Sequence, residues 1–406
     1  RKGLREDLKA SLNIAMVAAC PFPAPRGTPL RIYRLAEALA GRGHRVEVIA
    51  GPPDPLLDED IPIFQIPCLD LYNPEDPFRI PTVRELLNPI NLVEWLGVST
   101  MGFPEPFTFG LRAYQFLKDR WHKYDIVHDN QSLSYGIWAI NKFVPTIATI
   151  HHPITIDRAV AIRTVSAGWK KMKHLRWYSF IGMQKRVSRT LSRLITVSKR
   201  ARDDISKDFN IPIKNFRIVP NGINTDIFYP NPEIPRENNR FIVTNSADMP
   251  LKGLYYLLQA IAAVAKTRSI KLTVVGSPKK NGGITKLIAK LGIGNLIRFT
   301  GRIDDHQFVK EYAKATAAIV PSVYEGFGLP AGEAMACGVP VISTTGGALR
   351  MSRVGGAPLL LLPIPVPAAA SWRSSPEQKP RPAPVSTMTR TWGAASSSRS
   401  LSESSS

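Results

Sequence analysis

The stretch Pro321-Ser-Val-Tyr-Glu-Gly-Phe-Gly-Leu-Pro-Ala-Gly-Glu-Ala-Met-Ala-Cys-Gly-Val-Pro340 carries two acidic side chains, Glu325 and Glu333, on either side of a turn. Glycines and Pro330 between the two acids prevent one helix from holding both, so we place Glu325 in a loop. Proline is tolerated in the first turn of a helix, and glycine commonly ends one. The pattern therefore predicts a helix that starts near Pro330 and ends before Gly338.

A helix that begins after glycines presents free backbone amides in its first turn. These donors and the helix dipole attract phosphate, and the glycines allow the backbone to approach a ligand closely. A carboxylate beside such an anion site must face a different group, so we assign Glu333 to a ribose diol and Glu325 to another hydroxyl-rich group. Taken singly, each glutamate could equally be an ordinary surface residue. Together they predict a site for a sugar nucleotide.

The two acids, with seven residues between them, resemble the E-x7-E signature of the family 4 glycosyltransferases, which are retaining enzymes with the GT-B fold. Other segments resemble the family in the same order along the chain, up to about Ala348. They are residues 23–29, 34–50, 219–228, 251–253, 274–276 and 299–301. The resemblance implies α/β architecture with two Rossmann-like domains facing a central cleft. It also implies transfer of a sugar from a nucleotide-sugar donor to an acceptor hydroxyl with retention of anomeric configuration.

The resemblance assigns catalytic roles to Glu325, His151 and Lys252. Lys252 would neutralise the charge that a departing nucleoside diphosphate accumulates. His151 follows a predicted strand, and a neutral imidazole there would help to position the acceptor hydroxyl. His152 and Asp157 lie just beyond it. The alternatives are a surface lysine at a helix start and a strand-end histidine bonded to the backbone.

The donor-binding assignments also follow from the resemblance. They comprise Gly27, Gly276, Glu333 and the backbone of Phe327, Gly328 and Leu329. We expect no metal and no cofactor, with the nucleotide-sugar as substrate. The chain departs from the family at two places that concern the donor phosphates. Gly27 is a single glycine where two are usual, and residues 244–250 lack the usual arginine.

The length of 406 residues and the 44% content of hydrophobic residues predict two domains. We assign residues 1–220 to an acceptor domain, residues 221–350 to an incomplete donor domain, and residues 351–406 to a disordered tail. Alternating apolar strands and helices predict parallel sheets. The predicted strands are 13–20, 45–50, 124–128, 146–150, 194–197, 240–244, 271–276, 297–300, 317–320 and 339–343.

The three cysteines show no metal-ligand spacing and fit a reducing compartment, so we expect a cytoplasmic protein. The apolar run 14–20 is too short for a secretory signal and reads as a buried strand. No apolar run is long enough to predict a membrane-spanning helix.

The formal net charge is +21, and thirteen basic residues with no acidic one stand between Arg158 and Arg202. Aromatic residues alternate with them, which predicts amphipathic helices with a cationic side. Such helices could lie on the inner face of an anionic membrane, where each basic side chain contributes about 1 kcal/mol, or could be ordinary solvated helices. Nucleic acid is the least favoured partner, because no nucleic-acid module surrounds the cluster. The acceptor would then be a lipid or a cell-envelope glycan.

After Ala348 the chain departs from the family pattern and becomes rich in proline, serine and arginine without periodicity. We interpret this as a change of reading frame or a truncation near Leu349, which would leave the second domain incomplete. Two other functions stay open at this point. One is a catalytically inactive GT-B remnant that binds nucleotide or a membrane surface, and the other is a sugar-nucleotide epimerase.

Overall fold

Two parallel β-sheets organise the computed structural model, which describes residues 11–19, 28–52, 61–71, 76, 79–244, 249–351 and 359–361. The first sheet has the strand order β3-β2-β1-β4-β5-β6-β7. Its strands are β1 (Asn13–Ala18), β2 (Arg45–Ala50), β3 (Ile63–Gln65), β4 (Ile126–Asn130), β5 (Thr146–Ile150), β6 (Leu194–Thr196) and β7 (Phe216–Ile218). Strand β1 is buried along nearly its whole length, as expected for a central strand covered on both faces.

The second sheet has the order β10-β9-β8-β11-β12-β13 and is also parallel. Its strands are β8 (Arg240–Thr244), β9 (Lys271–Val275), β10 (Ile297–Phe299), β11 (Ala317–Val320), β12 (Val341–Ser343) and β13 (Leu359–Leu361). In both sheets the strand order reverses direction next to the first strand, which is the doubly wound plan. The predicted α/β class with two Rossmann-like domains is confirmed.

Helices connect the strands of each sheet. In the first half they are α1 (Thr28–Ala40), α2 (Val83–Leu86), α3 (Pro89–Ser99), α4 (Glu105–Leu117), α5 (Tyr135–Ile140), α6 (Ile154–Arg163), α7 (Gly168–Trp177), α8 (Ile181–Ser188) and α9 (Lys199–Phe209). In the second half they are α10 (Leu254–Val264), α11 (Gly283–Leu291), α12 (Asp305–Ala313) and α13 (Leu329–Ala336). No helix in these described ranges combines the length and the apolarity that a bilayer crossing requires.

The elements predicted from the sequence have counterparts within a few residues of their expected limits. Strands β3, β7 and β13 were not predicted, and each is only three residues long. The predicted division at residue 220 falls between β7 and β8, and its position stays a prediction. The predicted disordered tail lies outside the described residues except for Met351 and β13.

Candidate active site

The predicted donor-site residues follow neighbouring strands of the second sheet. Lys252 lies in a 3-10 turn after β8, Gly276 follows β9, and the loop with Glu325 follows β11. The carboxyl ends of parallel strands meet at one edge of a sheet, where open α/β folds bind ligands. We call residues 321–328 the Glu325 loop.

The Glu325 carboxylate is held by two donors. The Lys252 ammonium lies 2.7 Å from its Oε1, and the Ser322 hydroxyl donates to the same oxygen at 2.7 Å. Ser322 is buried, whereas the Lys252 and Glu325 side chains are 29% and 11% exposed. Two donors on one oxygen fix the orientation of the carboxylate. The structure thus brings together two of the three predicted catalytic residues.

The Lys252 turn and the Glu325 loop touch through their backbones. Gly253 has φ +72° in the left-handed region, and a Cβ there would lie 1.9 Å from the Pro321 carbonyl oxygen. The Val323 amide donates to the Leu251 carbonyl at 2.8 Å. Only glycine fits this contact, because a side chain would both strain the backbone and collide with the loop.

The opposite flank of the Glu325 loop packs against the segment after β12. The Ala348 amide donates to the Glu325 carbonyl at 2.8 Å, and a Cβ on Gly347 would lie 2.2 Å from the same oxygen. A Cβ on Gly346 would lie 2.3 Å from the Val323 carbonyl oxygen. The sequence analysis missed the close packing of Gly346 and Gly347 against the Glu325 loop, and it missed the contact of Ser322 with the Glu325 carboxylate. The pair of adjacent glycines was the sequence signal that could have indicated such close packing.

Helix α13 begins at Leu329, close to the predicted start. Gly328 precedes it with φ +92°, and its carbonyl accepts from the amides of Ala331 and Gly332 at 3.1 and 3.3 Å. Pro330 has no N–H, and these two amides already bond the Gly328 carbonyl, so the donors that this end offers to an anion are the amides of Gly328 and Leu329. Glu333 is the fifth residue of α13, one position beyond the first turn, and is half-buried.

His151 directly follows β5 in the first domain. Its Nε2 lies 2.8 Å from the Asn130 side-chain oxygen and therefore donates to it, while its backbone amide donates to the Gln131 side chain at 2.8 Å. Gln131 adopts φ +58° to reach this position. The imidazole is thus fixed at the carboxyl edge of the first sheet, as predicted. Beyond it, His152 Nε2 lies 2.9 Å from Asp157 Oδ2.

Two buried titratable groups support this edge. Burial lowers the pKa of His128 to about 4, and its ring bonds the Thr149 hydroxyl at 2.7 Å. Burial also raises the pKa of Asp129 to about 6, although Ser132 and the Leu133 amide donate to its carboxylate. His128 thus joins β4 to β5, and Asp129 holds the loop after β4.

The two sheet edges face each other at His151 and the Glu325 loop. A Cβ on Gly326 would lie 2.3 Å from the His151 carbonyl oxygen, so the backbones of the two domains touch. The residue next to Gly326 is Glu325, whose carboxylate binds Lys252. The three predicted catalytic residues therefore lie at one place in the fold.

The remaining predicted residues are less informative. Gly276 has φ +133°, and its carbonyl accepts from the Gly301 amide at 3.1 Å. Gly27 lies outside the described residues, as do residues 245–248 of the segment that lacks the family's arginine. The Phe327 side chain packs into the first domain, so only its backbone remains for the donor.

The described residues offer no metal site: no group of three His, Cys, Asp or Glu side chains among them could hold a metal ion. The expected lack of a metal requirement stays a prediction.

Comparison with known proteins identifies the family of the chain. Residues 25–227 match the family described as Glycosyltransferase Family 4, and residues 228–352 match Glycosyl transferases group 1. The chain belongs to the family 4 glycosyltransferases and is a transferase enzyme with the GT-B fold.

Individual relatives extend the comparison. The MMP alpha-(1->4)-mannosyltransferase of Mycolicibacterium hassiacum is 43% identical over 325 residues, which are 80% of this chain and 78% of the relative. Among solved structures, sucrose-phosphate synthase from Thermosynechococcus elongatus is similar with a TM-score of 0.63 and 21% identity, covering 87% of this chain and 86% of that one. Anabaena HepE in complex with UDP and glucose has a TM-score of 0.58 and 17% identity, covering 86% and 85%. These two structures share the fold.

Proposed function

We propose that the protein transfers a sugar from a nucleotide-sugar donor to an acceptor hydroxyl with retention of anomeric configuration. The observation that carries the proposal is the Lys252–Glu325 pair, which lies near the first turn of α13 and beside the domain that holds His151. A cation, the backbone amides at a helix start and a fixed carboxylate together suit a sugar diphosphate.

Each group has a separate task in this proposal. The α13 amides and Lys252 bind the donor diphosphate and stabilise its charge as it leaves. Glu325 accepts hydrogen bonds from hydroxyls of the donor sugar, and Glu333 accepts from the ribose. His151 orients the acceptor hydroxyl, whose oxygen attacks the anomeric carbon from the face that the diphosphate leaves. The anomeric C–O bond to the diphosphate breaks as the new bond forms, and a diphosphate oxygen takes the hydroxyl proton. No protein nucleophile is needed.

In this proposal the donor diphosphate competes with Glu325 for Lys252. The ammonium is paired with Glu325 at 2.7 Å and is partly exposed. A diphosphate carries more charge than one carboxylate and can take over this cation. Glu325 would then turn from Lys252 to the sugar while Ser322 still holds one of its oxygens.

The relative that is 43% identical is named an alpha-(1->4)-mannosyltransferase, and HepE was solved with UDP and glucose. The greater identity favours an α-mannosyl residue as the sugar transferred by this protein. We propose an acceptor that is itself a glycan or a glycolipid of the cell envelope, and a cytoplasmic site of action.

A donor panel tests the proposed function. The chain is heated with GDP-mannose, UDP-glucose, ADP-glucose and the free sugars, with and without EDTA. One nucleotide-sugar is expected to raise the unfolding temperature, since a ligand at 100 times its Kd stabilises the folded state by about 2.7 kcal/mol. EDTA should leave the shift unchanged.

The stabilising donor is then incubated with mannose-containing oligosaccharides, and the new linkage is analysed by NMR. An α-linkage from an α-donor supports retention. Binding without turnover would identify an inactive remnant, and an isomerised donor in the absence of acceptor would identify an epimerase. Either outcome overturns the proposal.

The basic segment, residues 158–202, contains helices with different surroundings. In α8, Ile181 and Met183 are buried, and Lys185 bonds the carboxylate of Asp208 at 3.2 Å. In α7, Trp169 and Met172 are 66% and 65% exposed. Helix α8 therefore packs its apolar side inside the first domain, whereas α7 leaves its apolar side exposed.

Helix α7 lies beside other exposed apolar side chains. Arg176 donates to the Thr100 hydroxyl at 2.9 Å, and Trp177 stacks on Phe103 with ring centroids 5.0 Å apart. The neighbouring region from α2 to α3 exposes Val83, Leu87, Leu92, Val93 and Leu96. We propose that this surface, together with Lys170, Lys171 and Lys173, attaches the protein to an anionic membrane.

A vesicle assay tests this attachment. Substitution of Lys170, Lys171 and Lys173 by glutamate is expected to weaken binding to phosphatidylglycerol vesicles roughly 100-fold, since each removed cation contributes about 1 kcal/mol. Co-sedimentation measures the change. The matched control is Lys266, Lys280 and Lys290 replaced by glutamate in the second domain, which alters the net charge equally. Equal losses in the two triple variants, or no binding by the unaltered protein, would contradict a specific surface.

A further inference from the structure

The Glu325 loop belongs to the second domain, yet the residues on both sides of Glu325 bind the first. The Tyr324 hydroxyl donates to Asp204 Oδ2 at 2.9 Å, and the Gly326 carbonyl accepts from the Ser198 hydroxyl at 2.6 Å. The Phe327 side chain packs against a cluster of the first domain that includes Leu133 and Ile150. The Glu325 side chain between them binds Lys252 and Ser322 of its own domain.

The Tyr324–Asp204 contact is partly buried and directional. Tyr324 is 6% exposed. Burial and the Asp204 carboxylate raise the pKa of the phenol well above its ordinary value, so the phenol remains a donor. Asp204 lies in α9 and also pairs with Arg200 at 2.8 Å. A neutral phenol that donates to a carboxylate makes a charge-assisted hydrogen bond.

The Ser198 hydroxyl forms hydrogen bonds with backbone groups of both domains. Its hydroxyl accepts from the Ala201 amide at 3.0 Å as the N-cap of α9, and it donates its own proton to the Gly326 carbonyl. Threonine preserves both functions, whereas aspartate preserves the cap but cannot donate to a carbonyl. These two substitutions therefore separate the cap from the contact between domains.

We propose that Ser198 and Asp204 of the first domain are positioning residues for Glu325 of the second, so that the donor-sugar site is complete only when the two domains are docked. The proposal rests on the proposed function. Lys252 and the α13 amides belong to the second domain alone and bind the diphosphate in either state. The orientation of Glu325 toward the sugar depends on the first domain.

Kinetics with the stabilising donor tests the proposal. Tyr324→Phe, Asp204→Asn and Ser198→Asp are each expected to lower kcat about 10-fold to 100-fold. The affinity for free UDP or GDP, measured by calorimetric titration, should stay within about twofold. Ser198→Thr should keep most of the turnover. A general loss of structure would instead weaken nucleotide binding and catalysis together.

Tyr124→Phe is the matched control. It also removes a hydrogen bond from a phenol to a carboxylate, that of Glu47, but both partners lie in the first domain. Its kcat should equal that of the unaltered protein. Unchanged kcat in Tyr324→Phe and Asp204→Asn, or equal losses in Tyr124→Phe, would overturn the proposal.

A second measurement does not depend on turnover. Scanning calorimetry of the full chain should show one unfolding transition, and the double variant Tyr324→Phe, Asp204→Asn should show two, because the domains lose their coupling. Two transitions in a protein that transfers no sugar would leave the docking role standing and reject the proposed function. A single transition in the double variant would reject the docking role.

Discussion

Replacement of Glu325 by glutamine is expected to lower the turnover number about 100-fold to 1000-fold, the range seen when one preorganised polar group at a reacting centre is lost. Glutamine has nearly the same shape and can still accept from Ser322. It lacks the charge that strengthens hydrogen bonds from sugar hydroxyls, and it leaves the Lys252 ammonium without its anionic partner.

The same substitution should act oppositely on nucleotide binding. Because Glu325 pairs with Lys252, a neutral side chain at position 325 leaves the cation available for the diphosphate. We expect the affinity for UDP or GDP to be unchanged or higher while turnover falls. Initial rates and calorimetric titration measure the two effects. Glu237→Gln is the control, since Glu237 pairs with Arg240 at 2.9 Å at the start of β8. Turnover within twofold of the unaltered protein would exclude a catalytic role for Glu325.

Replacement of Gly253 by alanine is expected to destabilise the fold by roughly 2–4 kcal/mol and to reduce donor binding. The left-handed conformation costs about 1–2 kcal/mol for a residue with a Cβ, and the methyl group would collide with the Pro321 carbonyl oxygen. Relief of the collision must move either Lys252 or the Glu325 loop. Both movements break the ion pair between them.

Gly283→Ala is the matched control for this prediction. Gly283 is the first residue of α11, its backbone is not in the left-handed region, and no atom lies within 4 Å of an added Cβ. It should therefore be neutral or slightly stabilising. Thermal unfolding and the donor-induced shift of the unfolding temperature compare the two variants. Equal unfolding temperatures would show that the Gly253 contact is not tight.

Most of the fold could be predicted because each main strand is a short apolar run between turn residues. The unpredicted strands β3 and β7 are the two edge strands of the first sheet, and both contain exposed positions, so neither has the continuous apolar run that marks a buried strand. For the basic segment, residues 158–202, the sequence left a membrane-bound and a solvated reading open. Whether Met172 or Met183 is buried depends on the element packed against it, and the alternation of apolar and basic residues is similar for both.

In the candidate site too, some features could be predicted from the sequence and others could not. The E-x7-E spacing and Gly328 indicate the loop and the helix start, since both depend on local conformation. The bond between Lys252 and Glu325 spans 73 positions, and that between Tyr324 and Asp204 spans 120. Such contacts depend on the docking of separate elements, which no local pattern encodes.

The insertion of Phe327 into the first domain has a consequence for hybrid enzymes. A hybrid of two family 4 glycosyltransferases would join the acceptor half of one enzyme to the donor half of another. In this protein such a graft must also supply the receiving pocket around Leu133 and Ile150 and the two polar partners on and before α9. A hybrid that keeps the whole donor half but mismatches these few residues should bind nucleotide and yet hold the sugar poorly.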